Sequence, residues 1–297
     1  MSKTLILGGP YGTEKERRGF TGDSASIFSS SGNKITGDIA NDYIKNGSTL
    51  MASNTFWVRN ALNNNRDGST EYQRSLQAEW YRLVQTINNL STEVATQIRT
   101  CIALGPHGDC YALRPNTTTA EYQEFHDNQI GYAKDLNTLH PDFILFETVN
   151  SATEALGQAL ALQQQNFPGV ISFVTNAEGK LLSGENVHDA IREIDQASNN
   201  HPLGYMLNCC PPQGLEKSIL DCNERTTRPR IIGAYPNAAT TNIADLDGSE
   251  GVVGVKDPKA TAKMINDLSR KYNLRIVGGC CGFDPESIKA ITEESRR

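Results

Sequence analysis

Two pairs of adjacent cysteines stand far apart in this chain: Cys209-Cys210 behind Asn208, and Cys280-Cys281 behind Gly278-Gly279 in the stretch "LRIVGGCCGFDPESIKA". Thiolates are soft ligands that suit Zn²⁺, and a catalytic zinc commonly has three protein ligands with a fourth position left for water or substrate. The spacing is unlike that of a zinc finger, where paired ligands sit a few residues apart in a tight knuckle. Neighbouring cysteines reach one ion only if the backbone bends sharply, which Gly278 and Gly279 ease. The competing reading is that both pairs are plain buried thiols at strand ends. Cys101, Cys110 and Cys222 stand alone and read as ordinary thiols. Seven cysteines, an odd number without regular spacing, argue for metal or thiol chemistry in a reducing compartment rather than a disulfide framework.

The thiols need a scaffold that gathers distant segments, and the pattern supplies one. Short apolar or β-branched runs recur at 4–7, 49–53, 101–104, 143–146, 170–174, 204–207, 230–235 and 274–277. Helical patterns lie between most of them, at 75–98, 119–137, 152–165 and 257–272 among others. In the first, Leu76, Trp80, Leu83, Ile87 and Leu90 recur at three- and four-residue spacing, which makes an apolar helix face. Eight strands alternating with helices predict a single (β/α)₈ TIM-type barrel over residues 1–297. A doubly wound open sheet is the second choice. The Ser/Gly-rich stretch 22–35 reads as a long loop.

In such a barrel, catalytic residues sit where strands end and the following loops begin. The unusual residues fall there: "GGPYGTE" after the first strand, "NTF" after the second, "GPHGD" after the third, "ET" after the fourth, "NCC" after the sixth, "PN" after the seventh and "GGCCG" after the eighth. "LILGGPYGTE" lacks the G-x-G-x-x-G spacing of a dinucleotide site. The net charge of −6 is modest and Lys and Arg are scattered, which argues against nucleic acid or anionic membrane as partner. No run of about 18 apolar residues occurs, and the opening "MSKTLILGGP" is too short for a secretion signal, so a cytoplasmic protein with small-molecule substrates is expected.

Together, "NC" after strand six, "GGCCG" followed by "DPESI", "FILFETVNSATEA", "ASNTF" and "YPN" at 235–237 resemble the homocysteine S-methyltransferase family. These are zinc-dependent thiol methyltransferases, and the resemblance spans nearly the whole chain. It implies Cys209, Cys280 and Cys281 as zinc ligands, with Cys210 a bystander behind them. It also implies Glu147 as the partner of the acceptor's ammonium group, and Asn54, Thr148 and Asn208 as residues that bond the substrate carboxylate or fix the zinc-binding turn. A free thiol is mostly protonated at neutral pH, and zinc removes that obstacle, so no separate general base is required.

One departure bears on the acceptor. The family's first strand usually ends in Asp-Gly-Gly, whereas Gly8 stands here at the Asp position and Pro10 at the second Gly. His107 and Asp109 are polar newcomers after strand three, and Asp109 is a candidate to replace the lost charge. The chain leaves no room for a cobalamin or folate domain, so the donors implied are S-methylmethionine, S-adenosylmethionine or betaine, with homocysteine as the first acceptor to consider. The other readings are a thiol methyltransferase of different acceptor, a barrel with a purely structural zinc closed by Cys210, and a zinc hydrolase, which usually prefers His and carboxylate ligands.

Overall fold

Each of the eight runs forms a strand in the computed structural model, which describes residues 4–20, 30–59, 68–136, 140–225, 230–239 and 254–297. The strands are β1 (Leu5–Ile6), β2 (Leu50–Ala52), β3 (Arg99–Leu104), β4 (Phe143–Val149), β5 (Gly169–Phe173), β6 (Gly204–Asn208), β7 (Ile231–Tyr235) and β8 (Ile276–Val277). All pair in parallel in the order β1-β8-β7-β6-β5-β4-β3-β2. The ring closes between β1 and β2 through a parallel bridge of Leu7 to Leu50, with Thr49 N–H donating to Ile6 O and Gly8 N–H to Leu50 O, both at 2.9 Å. A closed ring is a barrel, and the open-sheet alternative falls.

The helices are α1 (Tyr11–Arg17), α2 (Ser30–Lys45), α3 (Gly68–Asn88), α4 (Thr92–Ala95), α5 (Thr119–Lys134), α6 (Ala152–Gln165), α7 (Val187–Ala197), α8 (Pro212–Glu224), α9 (Pro258–Tyr272) and α10 (Pro285–Ser295). Their ends follow local chemistry. Thr118 and Glu121 form a reciprocal capping box at the start of α5, Ser151 caps α6, and Asp257 accepts from Lys259 N and Ala260 N at the start of α9. Two expectations need correction. The helical run 75–98 is broken, because Ser91 is extended and restarts the chain as the four-residue α4. The expected loop at 22–35 is helical from Ser30, and its residues 22–29 lie outside the described ones. Thr36, Ile39, Ala40, Tyr43 and Ile44 give α2 a buried face at helical spacing that the serine-rich start obscured. No helix among the described residues is long and apolar enough to cross a membrane.

Apolar side chains sort into two layers. Leu7, Leu50, Cys101, Leu145, Val170 and Met206 are among those that fill the barrel, while a larger cluster packs between the sheet and the helices. The two-residue period of a strand produces this division. Along β4, Phe143 and Leu145 belong to the inner cluster, and Ile144 and Phe146 to the outer one. Continuing the alternation brings Glu147 to the inner face at the C-terminal end of the strand, just where the inner apolar stack stops.

Candidate functional site

One cavity of about 150 Å³ opens at that end of the barrel, and Asn54, Glu147, Thr148, Asn208, Cys209, Cys280 and Cys281 all line it. All seven residues singled out from the sequence thus come together from β2, β4, β6 and β8. The remaining wall is largely apolar and aromatic, with Tyr11, Met51, Phe56, Trp57, Tyr111 and Tyr235. Among the described residues no Lys, Arg or His lines it, and Glu147 is its one carboxylate.

The sulfurs of Cys209, Cys280 and Cys281 lie within 4.8 Å of one another. Cys209 has φ of 50°, a left-handed conformation that side-chain-bearing residues rarely adopt. The turn splits the adjacent pair. Cys209 lines the cavity, while Cys210 is fully buried and its sulfur accepts from Thr175 N–H at 3.2 Å. Burial pushes the Cys210 thiol up to about 11, which keeps it protonated. A role for Cys210 as a fourth ligand closing the site therefore has no geometric support.

Of the three cysteines expected as zinc ligands, the structure joins Cys209 and Cys280 in a disulfide, with Cα atoms 5.5 Å apart. Their convergence from β6 and β8 on one point makes this pairing accessible. Cys209 Sγ also stands 3.7 Å from Cys281 Sγ. Two thiolates on one tetrahedral zinc, each at about 2.3 Å, are separated by about 3.8 Å, so that edge of the cluster already has the dimension of a zinc site. An all-sulfur, closely spaced donor set fits Zn²⁺ once the disulfide is reduced.

Asn208 ties the cluster to its surroundings. Its Oδ1 accepts from Thr148 N–H at 2.9 Å and from the Ser172 hydroxyl at 2.7 Å, and its Nδ2 donates to Thr148 Oγ1 at 2.7 Å and to Cys280 Sγ at 3.9 Å. Thr148 has φ of 58° at a register shift between Phe146 and Val149, a strained backbone for a β-branched residue. Such a conformation costs on the order of 1–3 kcal/mol and persists only where neighbours enforce it. Asn208 does so through both faces of its amide. Thr148 and Asn208 thus brace each other at the rim while both still line the cavity. Asn54 is anchored likewise, its Nδ2 donating to Glu79 Oε2 at 3.2 Å beneath the cavity, and Glu79 pairs in turn with Arg82.

Glu147 is half-buried and accepts from the Tyr235 hydroxyl at 3.1 Å. Burial pushes its carboxyl up to about 7, and the Tyr235 hydrogen bond only partly opposes this. With no cation beside it among the described residues, the group is prepared for one that arrives with a ligand.

The two polar newcomers after β3 do not enter the cavity. Asp109 is exposed, and its Oδ1 accepts from Tyr111 N–H at 2.6 Å and Ala112 N–H at 3.0 Å, so it shapes its own loop rather than replacing a lost charge. His107 stacks on Phe125 with centroids 4.0 Å apart, its backbone N–H donates to Glu154 Oε1 at 2.6 Å, and its ring pairs with Arg114 at 2.8 Å. At Gly8, an added Cβ would stand 2.9 Å from Met51 Sδ, so the thioether end of Met51 holds that space.

The family profile described as Homocysteine S-methyltransferase matches residues 5–295. The chain belongs to the homocysteine S-methyltransferase family. Among relatives, Homocysteine S-methyltransferase 1 of Brassica oleracea var. italica is 25% identical over 59% of this chain and 52% of its own length. Homocysteine S-methyltransferase 3 of Zea mays is 23% identical over 97% of this chain and 88% of its own length. The match thus spans about half the length of the first relative and most of the second. In fold, the chain is similar to the metallated form of the homocysteine methyltransferase MmuM from Escherichia coli, with a TM-score of 0.75 at 16% identity over 100% of this chain and 97% of that one. An oxidized form of MmuM gives 0.74.

Sequence reasoning missed several wall residues of the family member described here. Phe56 and Trp57 follow Asn54-Thr55 in "SNTFW", and Tyr235 opens "YPN". The strand period identifies Tyr235 in hindsight, since it belongs to the inner cluster. Nothing in the sequence marks Tyr111 or Met51, which reach the cavity through packing.

Proposed function

We propose that this chain transfers a methyl group from an onium donor, S-methylmethionine or S-adenosylmethionine first, to the thiol of a small acceptor, homocysteine first, giving methionine. Cys209, Cys280 and Cys281 hold a zinc ion in this reading, and residues 1–297 act as one catalytic domain in the cytoplasm. The observation that carries it is the shared cavity: a three-sulfur cluster and a single half-buried carboxylate face the same space.

The chemistry zinc supplies when bound is acidification of a thiol, so that the acceptor reacts as a thiolate. The chain's own residues do the rest. Glu147 pairs with the acceptor's ammonium group, and Tyr235 fixes the carboxylate's orientation through its hydroxyl. Asn208 and Thr148 hold the turn that presents Cys209. The aromatic wall of Tyr11, Phe56 and Trp57 excludes water and favours a positively charged donor over a neutral one. In the transfer, the acceptor sulfur forms a bond to the methyl carbon while the donor's bond to that carbon breaks. The donor keeps the bonding pair and leaves neutral, so two charges are extinguished together and a low-dielectric cavity favours the step.

A second reading is favoured by Gly8 and Met51. With one carboxylate in the cavity rather than two, a thiol without a free amino group is discriminated against less strongly than in relatives bearing the usual Asp. The deciding experiment incubates reduced, zinc-loaded protein with each donor and homocysteine, and follows methionine by mass spectrometry. Because S-methylmethionine itself leaves as methionine, the homocysteine is isotope-labelled, and labelled methionine formed with an onium donor supports the primary reading. Methylation of other thiols but not homocysteine supports the second, and no methyl transfer to any thiol refutes both.

A further inference from the structure

Cys280 and Cys281 are adjacent, and both place sulfur in one cluster, so the backbone must leave that point along a fixed path. Gly282 provides the turn with φ of 87°, a conformation open to glycine. Both of its polar groups meet side chains of α1, from the other end of the chain, and its carbonyl also accepts from Val255 N–H at 3.3 Å. Gly282 N–H donates to Thr13 Oγ1 at 3.2 Å, and Gly282 O accepts from Arg17 Nη2 at 3.0 Å. Arg17 Nη1 then pairs with Asp284 at 2.7 Å, and Asp284 caps α10 by accepting from Ser287 N–H at 2.8 Å. Upstream, Cys280 N–H donates to Pro236 O at 2.8 Å, and Cys281 O accepts from Ala238 N–H at 3.0 Å. The cysteine pair thus lies between a backbone clamp on the β7 loop and a side-chain clamp on α1.

We propose that Thr13 and Arg17 are positioning residues for the metal site: they hold the Gly282 turn so that Cys280 and Cys281 are preset for a single ion. The proposal rests on the zinc reading above and adds to it the device that sets the sulfurs. Ligand distances in a metal site tolerate only about 0.2 Å, so a turn free to rotate loses the preset geometry. Groups that orient ligands in this way change metal affinity by about 10- to 100-fold when removed. The Arg17–Asp284 pair is partly exposed, with side chains 28% and 32% accessible, and such pairs contribute little to overall stability. At Arg17, metal affinity and folding should therefore separate. The same helix supplies Tyr11, Gly12 and Thr13 to the cavity wall, so one short element shapes the substrate space and sets the sulfurs.

The test uses the full chain, reduced and metal-free, with Thr13→Val, Thr13→Ser, Arg17→Met and Arg17→Lys beside wild type. Zinc dissociation constants are measured by competition with a chromophoric chelator, cobalt(II) spectra report the thiolate ligation, and thermal melts of the metal-free proteins report folding. Arg17→Met is expected to bind zinc about 10-fold or more weakly with its metal-free melt unchanged, and Thr13→Val to bind as weakly with a somewhat lower melt, because the buried Gly282 N–H loses its acceptor. Thr13→Ser should recover wild-type affinity, and Arg17→Lys only part of it, because lysine lacks the guanidinium fork. Zinc affinity within about twofold of wild type in both Thr13→Val and Arg17→Met overturns the proposal, as does an equal loss in Thr13→Ser and Thr13→Val. Wild type that binds no zinc overturns the metal reading itself, an outcome distinct from both.

Discussion

Replacing Glu147 by glutamine is expected to stabilise the protein at alkaline pH while impairing acceptor binding. The carboxyl moves from an ordinary value of 4.5 to about 7 in the folded protein, chiefly through burial. Between those values the unfolded chain has released the proton and the folded one has not. Folding stability therefore falls as pH rises through this window, and the loss is complete above about 7. At about 1.4 kcal/mol per pH unit, the ionised carboxylate destabilises the fold by about 3 kcal/mol. The glutamine side chain has the same shape, keeps an acceptor for the Tyr235 hydroxyl and carries no charge, so it escapes that penalty. At about 2 °C per kcal/mol for a chain of this size, Glu147→Gln should melt roughly 6 °C above wild type at about pH 8, and the difference should vanish near pH 4.5. The assay is thermal denaturation of reduced, metal-free protein from about pH 4.5 to 8, with the difference between variants isolating Glu147 from the cysteines. In the same variant, loss of the charged partner should raise the acceptor's KM by about 10- to 100-fold. Parallel pH profiles, or a variant no more stable than wild type at the alkaline end, would refute the argument that burial without a cation sets this carboxyl.

Cys281→Ser should lose most of its zinc in metal analysis of the purified protein, whereas Cys210→Ser should retain it; equal loss in both would place Cys210 on the ion. Asn208→Ala strands buried partners on Thr148 and Ser172 and should cost about 3 kcal/mol in denaturant unfolding, with weakened zinc binding; a neutral result would mean that Thr148 holds its backbone unaided. Gly8→Asp needs only the flexible end of Met51 to move, and should raise kcat/KM for homocysteine relative to an equally long thiol without the amino group; an unchanged ratio would remove Gly8 from acceptor selection.

Much of the site was legible because its chemistry rests on residue types that sequence displays. Cys209, Cys280, Cys281 and Glu147 end strands whose apolar runs were visible, and the two-residue period carries Glu147 inward without further information. Hydrogen-bonding direction was not legible. Thr148 and Asn208 read alike in sequence as groups that bond substrate or fix the turn, and the structure adds that they hydrogen-bond each other. Asp109 and His107 occupy the expected rim, yet loop geometry turns one to its own backbone and the other onto Phe125. Thr13 and Arg17 meet Gly282 across most of the chain's length, a contact that no local pattern encodes. The α2 error has a plain origin, since serine and glycine at its start outweighed the apolar spacing from Thr36 onward.

The barrel ring is stitched unevenly. β1 joins β8 through two residue pairs, β8 joins β7 through two, and β1 joins β2 through a single bridge, whereas β3–β4 and β5–β6 each share four. Amide hydrogen exchange should begin along the β8–β1–β2 seam and reach the β3–β6 arc last, because local opening follows the number of hydrogen bonds that must break. The sulfur cluster spans β6 to β8, on the flank of that seam. An ion held there binds only the closed ring and so lengthens the lifetime of the seam's closed state, by an amount that grows with ion concentration. Exchange rates of the Leu5 and Ile6 amides would then read out site occupancy from a strand that contributes no sulfur to the cluster.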